Sequence, residues 1–121
     1  MTSKRTVVLG ASPNPARYAY LVTLRLKEKG HLPFPLGTKD GTIDGMSIIT
    51  GKPELENIDT ITLYLNSHNQ REWYDWIFNL NPKRLIFNPG SENPDLARQA
   101  QRHGIETVEA CTLVMLSVGS F

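Results

Sequence analysis

The stretch VVLGASPNPARY, residues 7–18, predicts the fold of this chain more clearly than any other segment. A run of apolar β-formers ends at Gly10, passes through small and turn-forming residues, and reaches Arg17. This pattern is typical of a buried parallel strand that turns directly into a helix. Glycine lets the backbone turn sharply, and the short side chains of Ala11 and Ser12 would let an anion approach the peptide N–H groups. The start of the helix and the Arg17 guanidinium would both favour a phosphate.

Two interpretations of this turn stay open on these residues alone. In the first, the turn cradles a phosphate, and Asn14 is counted with its neighbours as a candidate binding residue. In the second, Gly10 only packs a tight strand-to-helix turn, and Arg17 is a solvated helix residue. The segment lacks the full G-x-G-x-x-G spacing of dinucleotide-binding proteins, so the motif does not choose between them.

Strand and helix patterns alternate along the rest of the chain. Strands are predicted at residues 6–9, 31–36, 59–65, 83–87 and 105–109, and helices at residues 17–29, 67–80, 93–104 and 111–118. Ser67 and Asn93 are the predicted N-caps of the second and third helices, and Gly104 ends the third. Parallel strands need crossover connections, which cover both faces of a sheet. We therefore expect one domain over residues 1–121, a doubly wound, mostly parallel, five-stranded Rossmann-like sheet in a three-layer α/β/α arrangement.

The composition is that of a globular domain with no strong electrostatic preference. The 121 residues carry a net charge of +1, and 40% are hydrophobic. This balance offers no field that would recruit nucleic acid or an anionic membrane, and no apolar run approaches the length of a bilayer span. Cys111 is the only cysteine, so no disulfide framework is possible, and we expect a cytoplasmic protein.

A ligand of such a sheet binds beyond the carboxyl ends of the strands. Besides the first turn, the candidate residues at these ends are Pro35, Leu36, Lys39, Asn66, Ser67, Asn88, Pro89 and Gly90. An NAD site usually has an acidic residue after the second strand, whereas the first charged residue here is Lys39. A lysine at this place suits a ribose phosphate, which points to NADP or coenzyme A (CoA), although it could also be a solvated loop residue.

Motifs along nearly the whole chain resemble those of the small, single-domain CoA-binding proteins, which are relatives of the CoA-binding domain of the succinyl-CoA synthetase alpha subunit. The matching motifs are VVLGAS with P-x-R at 15–17, L-x-x-x-G at 26–30, Pro35, I-x-G at 43–45, Asp59, x-P-G-x-E-N at 88–93 and G-I-x-x-V-x-x-C at 104–111. The order and spacing of these motifs carry the resemblance, since none is specific alone.

The resemblance implies that the chain binds CoA or an acyl-CoA. The pyrophosphate would lie at residues 10–12 and near Arg17, and the adenine by residues 35–39. The pantetheine arm would run past Asn66 and Ser67 and past residues 88–90.

No catalytic or metal-binding pattern accompanies these residues. Cys111 has no histidine near it in sequence and is interpreted as a small buried hydrophobe. Trp73 and Trp76 lie at helical spacing, which indicates a stripe facing the core or another subunit rather than an adenine platform. The apolar tail at residues 113–121 also suggests a homo-oligomer. We expect a non-catalytic CoA-binding module; the alternatives are an NAD(P)-binding regulatory domain and a small enzyme acting on acyl-CoA.

Overall fold

A parallel five-stranded sheet forms the centre of the fold in the computed structural model, which describes residues 3–121. The described residues contain the strands β1 (Arg5–Leu9), β2 (Leu32–Leu36), β3 (Thr42–Ile43), β4 (Met46–Ser47), β5 (Thr60–Leu63), β6 (Arg84–Phe87) and β7 (Glu106–Glu109). The order across the main sheet is β2-β1-β5-β6-β7, and every neighbouring pair is parallel. The small strands β3 and β4 form a separate antiparallel pair. The direction of winding reverses between β1 and β5.

Helices cover both faces of the sheet. They are α1 (Tyr18–Glu28), α2 (Ser67–Gln70), α3 (Tyr74–Leu80), α4 (Pro94–Arg102) and α5 (Thr112–Val118), with a 3₁₀ turn at Arg71–Trp73. Because successive side chains of a strand point to opposite faces, Val7 and Leu9 pack in the core beneath α3 and α4. Val8 packs on the other face with residues of α1 and α5. The predicted three-layer α/β/α architecture is confirmed.

The prolines of β2 are compatible with its place at the edge of the sheet. Leu32 donates its backbone N–H to the Lys4 carbonyl oxygen, and the Leu36 carbonyl oxygen accepts from the first βα turn. Because the peptide N–H groups of a strand alternate in direction, the nitrogens of Pro33 and Pro35 point away from β1. On that outer side, the main sheet needs no hydrogen-bond donor.

The helix predicted at residues 67–80 is divided, and its N-cap was assigned one residue too late. Asn66, not Ser67, caps α2, because the Asn66 side-chain oxygen accepts the Asn69 N–H at 2.8 Å. The 3₁₀ turn then separates α2 from α3. The N-cap prediction for Asn93 is confirmed, since its side-chain oxygen accepts the Leu96 N–H at 3.1 Å.

The last helix leaves part of its apolar surface open. Leu116 of α5 is buried against α1, whereas Val114 and Val118 are exposed. The homo-oligomer stays a prediction. No helix in residues 3–121 combines the length and the hydrophobicity that crossing a bilayer requires.

Candidate functional site

A cleft of about 620 Å³ opens where the winding of the sheet reverses. Its walls come from the carboxyl ends of β1, β2 and β5 and from the helical segment that follows β5. This is the place where doubly wound sheets bind their ligands. The predicted site residues that line it are Gly10, Ala11, Ser12, Arg17, Leu36, Lys39 and Pro89.

Two glycines shape the bottom of the cleft. Gly10 has a φ of +102°, and a Cβ atom there would lie 3.0 Å from the Tyr64 carbonyl carbon. At Gly37, a Cβ atom would lie only 2.2 Å from the Ala11 carbonyl oxygen. The end of β2 and the first βα turn therefore touch backbone to backbone, which only glycine permits. Gly37 belongs to a predicted strand end but was not among the predicted site residues, although a glycine directly after a strand can signal such a close approach.

The peptide N–H groups of the first turn are not equally free. Gly10 and Ala11 both donate to the Leu36 carbonyl oxygen, at 3.0 Å and 2.8 Å. The expectation that these two amides would be open to an anion is therefore wrong, because β2 already accepts both. Ser12 has no acceptor for its N–H among residues 3–121. The N–H group of this turn that stays without an acceptor is therefore that of Ser12, ahead of the start of α1.

Asn14 holds the turn together and does not line the cleft. Its side-chain oxygen accepts the Ala16 N–H at 3.0 Å, and its carbonyl oxygen accepts the Arg17 N–H at 3.0 Å. Its own N–H donates to the Ser12 hydroxyl at 3.1 Å. These bonds place Arg17 at the N-cap position of α1, where its side chain caps no N–H of the helix. The positive end of α1 and the guanidinium therefore stand together at the cleft.

The opposite wall carries the second cation. Thr38 and Lys39 follow β2 and line the cleft, as does Leu36, whose side chain is buried. Pro35 lies deeper in the strand and is not part of the wall. Glu72 is the acidic residue of the lining, so Arg17 and Lys39 leave the cleft with a net positive charge.

On the side of β5, the cleft is lined by residues further along the chain than predicted. Asn66 and Ser67 lie outside the wall, and Asn69, Glu72 and Trp73 occupy it instead. The capping bond of Asn66 explains this shift, because it turns that side chain toward the backbone of α2.

The side chain of Asn88 is committed to the fold. It is buried, and its amide nitrogen donates to the Thr62 hydroxyl at 2.7 Å and to the Leu63 carbonyl oxygen at 3.0 Å. Its side-chain oxygen accepts the Thr112 N–H at 2.8 Å. The contact with pantetheine predicted for Asn88 is therefore unavailable to its side chain.

The backbone N–H group of Gly90, in the turn after β6, is also unavailable to a ligand. The Gly90 N–H donates to the Glu92 carboxylate at 2.8 Å, and Gly90 does not line the cleft. Of the turn after β6, Pro89 is the residue that reaches the wall.

The lining contains no cysteine or histidine within the described part of the chain. Cys111 is half-buried at the N-cap position of α5. Tyr64 does line the cleft, and burial raises the pKa of its hydroxyl, so that it stays a neutral phenol. Residues 3–121 hold no cluster of three or more His, Cys, Asp or Glu side chains that could bind a metal ion.

The family profile of the CoA binding domain matches residues 4–117 of the chain. This chain belongs to that CoA-binding domain family. The resemblance seen in the sequence motifs is thereby confirmed. None of the curated proteins matches the chain.

Solved structures share the fold over nearly the whole length. A crystal structure of an uncharacterized protein is 50% identical, with a TM-score of 0.97, and the match covers 100% of both chains. A Thermus thermophilus protein, cell-free ID.343, is 21% identical, with a TM-score of 0.84 over 98% of this chain and 91% of its own. The dinucleotide forming acetyl-coenzyme A synthetase 1 of Ca. Korarchaeum cryptofilum, in complex with phosphate and ADP, is 15% identical, with a TM-score of 0.72 over 88% of this chain and 25% of its own. The last two show the likeness of fold alone.

Proposed function

We propose that this protein binds CoA or an acyl-CoA in the cleft between β1, β2 and β5, as a binding or sensor module without a reaction of its own. The observation that carries the proposal is the placement of Arg17 and Lys39 on two walls of one cleft, at the place where doubly wound sheets bind ligands. Membership of the CoA-binding domain family supports the same ligand.

The diphosphate of the ligand would occupy the corner between Ser12 and the start of α1. The Ser12 N–H is free to donate there, and the first turn of α1 has no side-chain cap. Peptide N–H groups at a helix start, together with a guanidinium, form a suitable site for phosphate oxygens. Arg17 extends from this corner and would complete it.

Lys39 would distinguish CoA from NAD. CoA carries a 3′-phosphate on its adenosine ribose, whereas NAD presents ribose hydroxyls that usually bind a carboxylate after the second strand. Residues 36–39 at this position are Leu, Gly, Thr and Lys. NADP shares the added phosphate and therefore stands as the second ligand to test.

A binding role is favoured over catalysis by the kind of side chain that lines the cleft. Nucleophilic catalysis needs an activated group with a partner base. The described lining has Ser12 without a histidine, and Tyr64 is held as a neutral phenol. A small enzyme acting on acyl-CoA would have to use Glu72, the carboxylate of the lining, as its base, and no hydrogen bond among residues 3–121 joins Glu72 to Ser12.

Calorimetric titration with CoA, dephospho-CoA, NADP, NAD and ADP tests the proposal. CoA should bind most tightly, and the preference for CoA over dephospho-CoA should disappear in Lys39→Ala. Arg17→Ala should raise the Kd for CoA roughly 10- to 150-fold, as expected for the loss of hydrogen bonds between charged groups. Arg102→Ala removes the same charge from the last turn of α4, outside the cleft, and should leave the Kd unchanged. Tighter binding of NAD or NADP than of CoA would contradict the proposal.

A further inference from the structure

Besides Tyr64, two aromatic residues line the cleft from different layers of the fold. Tyr18 is the first residue of α1, on one face of the sheet, and Trp73 ends the 3₁₀ turn before α3, on the other face. The cleft therefore has an aromatic residue on each of two walls in addition to its two cations. The diphosphate contacts proposed for Ser12 and Arg17 do not involve these two rings.

Tyr18 is not required by the packing of α1. Its side chain is 73% exposed, the most exposed of the large hydrophobic side chains described. Ala19 and Val22 bury the adjacent face of the helix, and Tyr20 packs against the same core. An aromatic ring that the core does not use, placed at the mouth of a cleft, is suited to contact with a ligand.

Trp73 is held firmly from outside the cleft. The rings of Trp73 and Trp76 make a T-shaped contact with centroids 5.2 Å apart at 82°, and the Lys52 ammonium lies 5.2 Å from the Trp73 centroid. Neither of these partners lines the cleft. The spacing of the two tryptophans predicted a stripe facing the core or another subunit rather than an adenine platform, and both do pack against the core. Trp73 in addition presents part of its fixed surface to the cleft.

We propose that Tyr18 and Trp73 form an aromatic pair that binds the adenine ring and so selects the nucleotide end of the ligand. This inference rests on the proposed function, and it places the base at these two residues rather than by residues 35–39, where the resemblance would place it. A flat purine stacks on tyrosine or tryptophan, and its phosphates would then extend toward Arg17 and Lys39 in the same cleft. In this arrangement the cleft recognises the phosphorylated adenosine of CoA rather than its pantetheine arm.

The test compares three probes: CoA, adenosine 3′,5′-bisphosphate, which lacks pantetheine, and 4′-phosphopantetheine, which lacks the base. Tyr18→Ala should weaken CoA and the bisphosphate by the same factor, roughly 5- to 150-fold, as expected for a lost stacking contact. Binding of phosphopantetheine should not change. Tyr18→Phe keeps the ring and should bind like the wild type. Val118→Ala shortens another exposed apolar side chain, outside the cleft, and should have no effect.

Tryptophan fluorescence provides a second readout that does not depend on affinity. The adenosine bisphosphate should quench the wild-type emission. Trp73→Phe should still bind the bisphosphate but lose the quenching, because Trp76, the tryptophan that remains, does not line the cleft. If the wild type binds CoA but Tyr18→Ala binds all three probes unchanged, or if phosphopantetheine weakens equally, the aromatic pair is refuted and the proposed function stands. If the wild type binds neither CoA nor the bisphosphate, both proposals fail.

Discussion

Replacing Gly37 with alanine should both destabilise the protein and distort the cleft. The added Cβ would lie 2.2 Å from the Ala11 carbonyl oxygen and 3.1 Å from the Ala11 carbonyl carbon. Nonbonded carbon and oxygen atoms need more than 3 Å, so one of the two segments must move by about 1 Å. The main obstacle is the backbone of Ala11, which cannot rotate away as the end of a flexible side chain could. We therefore expect a loss near the upper end for overpacking, about 3 kcal/mol, or a fall in Tm of about 10 °C.

Urea unfolding measures this loss of stability in Gly37→Ala, with Gly51→Ala as the control variant. Gly51 has nothing within 4 Å of the position of a Cβ atom, but its φ is +87°. The control should therefore lose only about 1–2 kcal/mol through backbone strain. The CoA affinity should fall in Gly37→Ala, because the turn that carries Ser12 is displaced, and should be kept in Gly51→Ala. A Gly37→Ala protein that is as stable as the control and binds CoA normally would refute the tight contact between β2 and the first turn.

Two further predictions concern the stability of the fold. Burial, followed by the charge of Lys4, lowers the pKa of His31 below its ordinary value of 6.5, and the Nδ1 atom accepts the Lys4 N–H at 3.0 Å. His31 therefore binds a proton more readily in the unfolded chain than in the folded one. The free energy of unfolding should fall as the pH drops from 6.5, the ordinary pKa, through the lower pKa of the folded state. His31→Asn keeps an acceptor without titrating, and urea unfolding should show that this loss with acid becomes smaller; an unchanged pH profile would contradict the assignment. Asn66→Ala should cost about 1 kcal/mol by removing the cap on the Asn69 N–H, whereas Ser67→Ala should cost less than about half of that, and the reverse order in the same assay would restore Ser67 as the cap.

The architecture could be predicted from the sequence because it depends on local patterns. Apolar runs such as residues 6–9, separated by helical periods and ended by glycines, are enough to predict alternating strands and helices. The right-handed crossover rule then leaves few possible arrangements of a parallel sheet. The capping sequence at Asn93 is equally local, and it was predicted correctly.

The details of the site depend on contacts between residues far apart in the chain. The Leu36 carbonyl oxygen takes the N–H groups of Gly10 and Ala11 because β2 lies beside β1 in a particular register. The bonds of Asn88 to Thr62 and Thr112 likewise join β6 to β5 and to the start of α5. Neither set of bonds has a signal in the local sequence, so both groups were predicted to be available to a ligand.

The crystal structure of the complex with CoA would decide whether the first βα turn holds the ligand. We expect the diphosphate within hydrogen-bonding distance of the Ser12 N–H and the Arg17 guanidinium, with the 3′-phosphate near Lys39. A complex in which the diphosphate lies elsewhere, and no anion meets the start of α1, would contradict this account of the site.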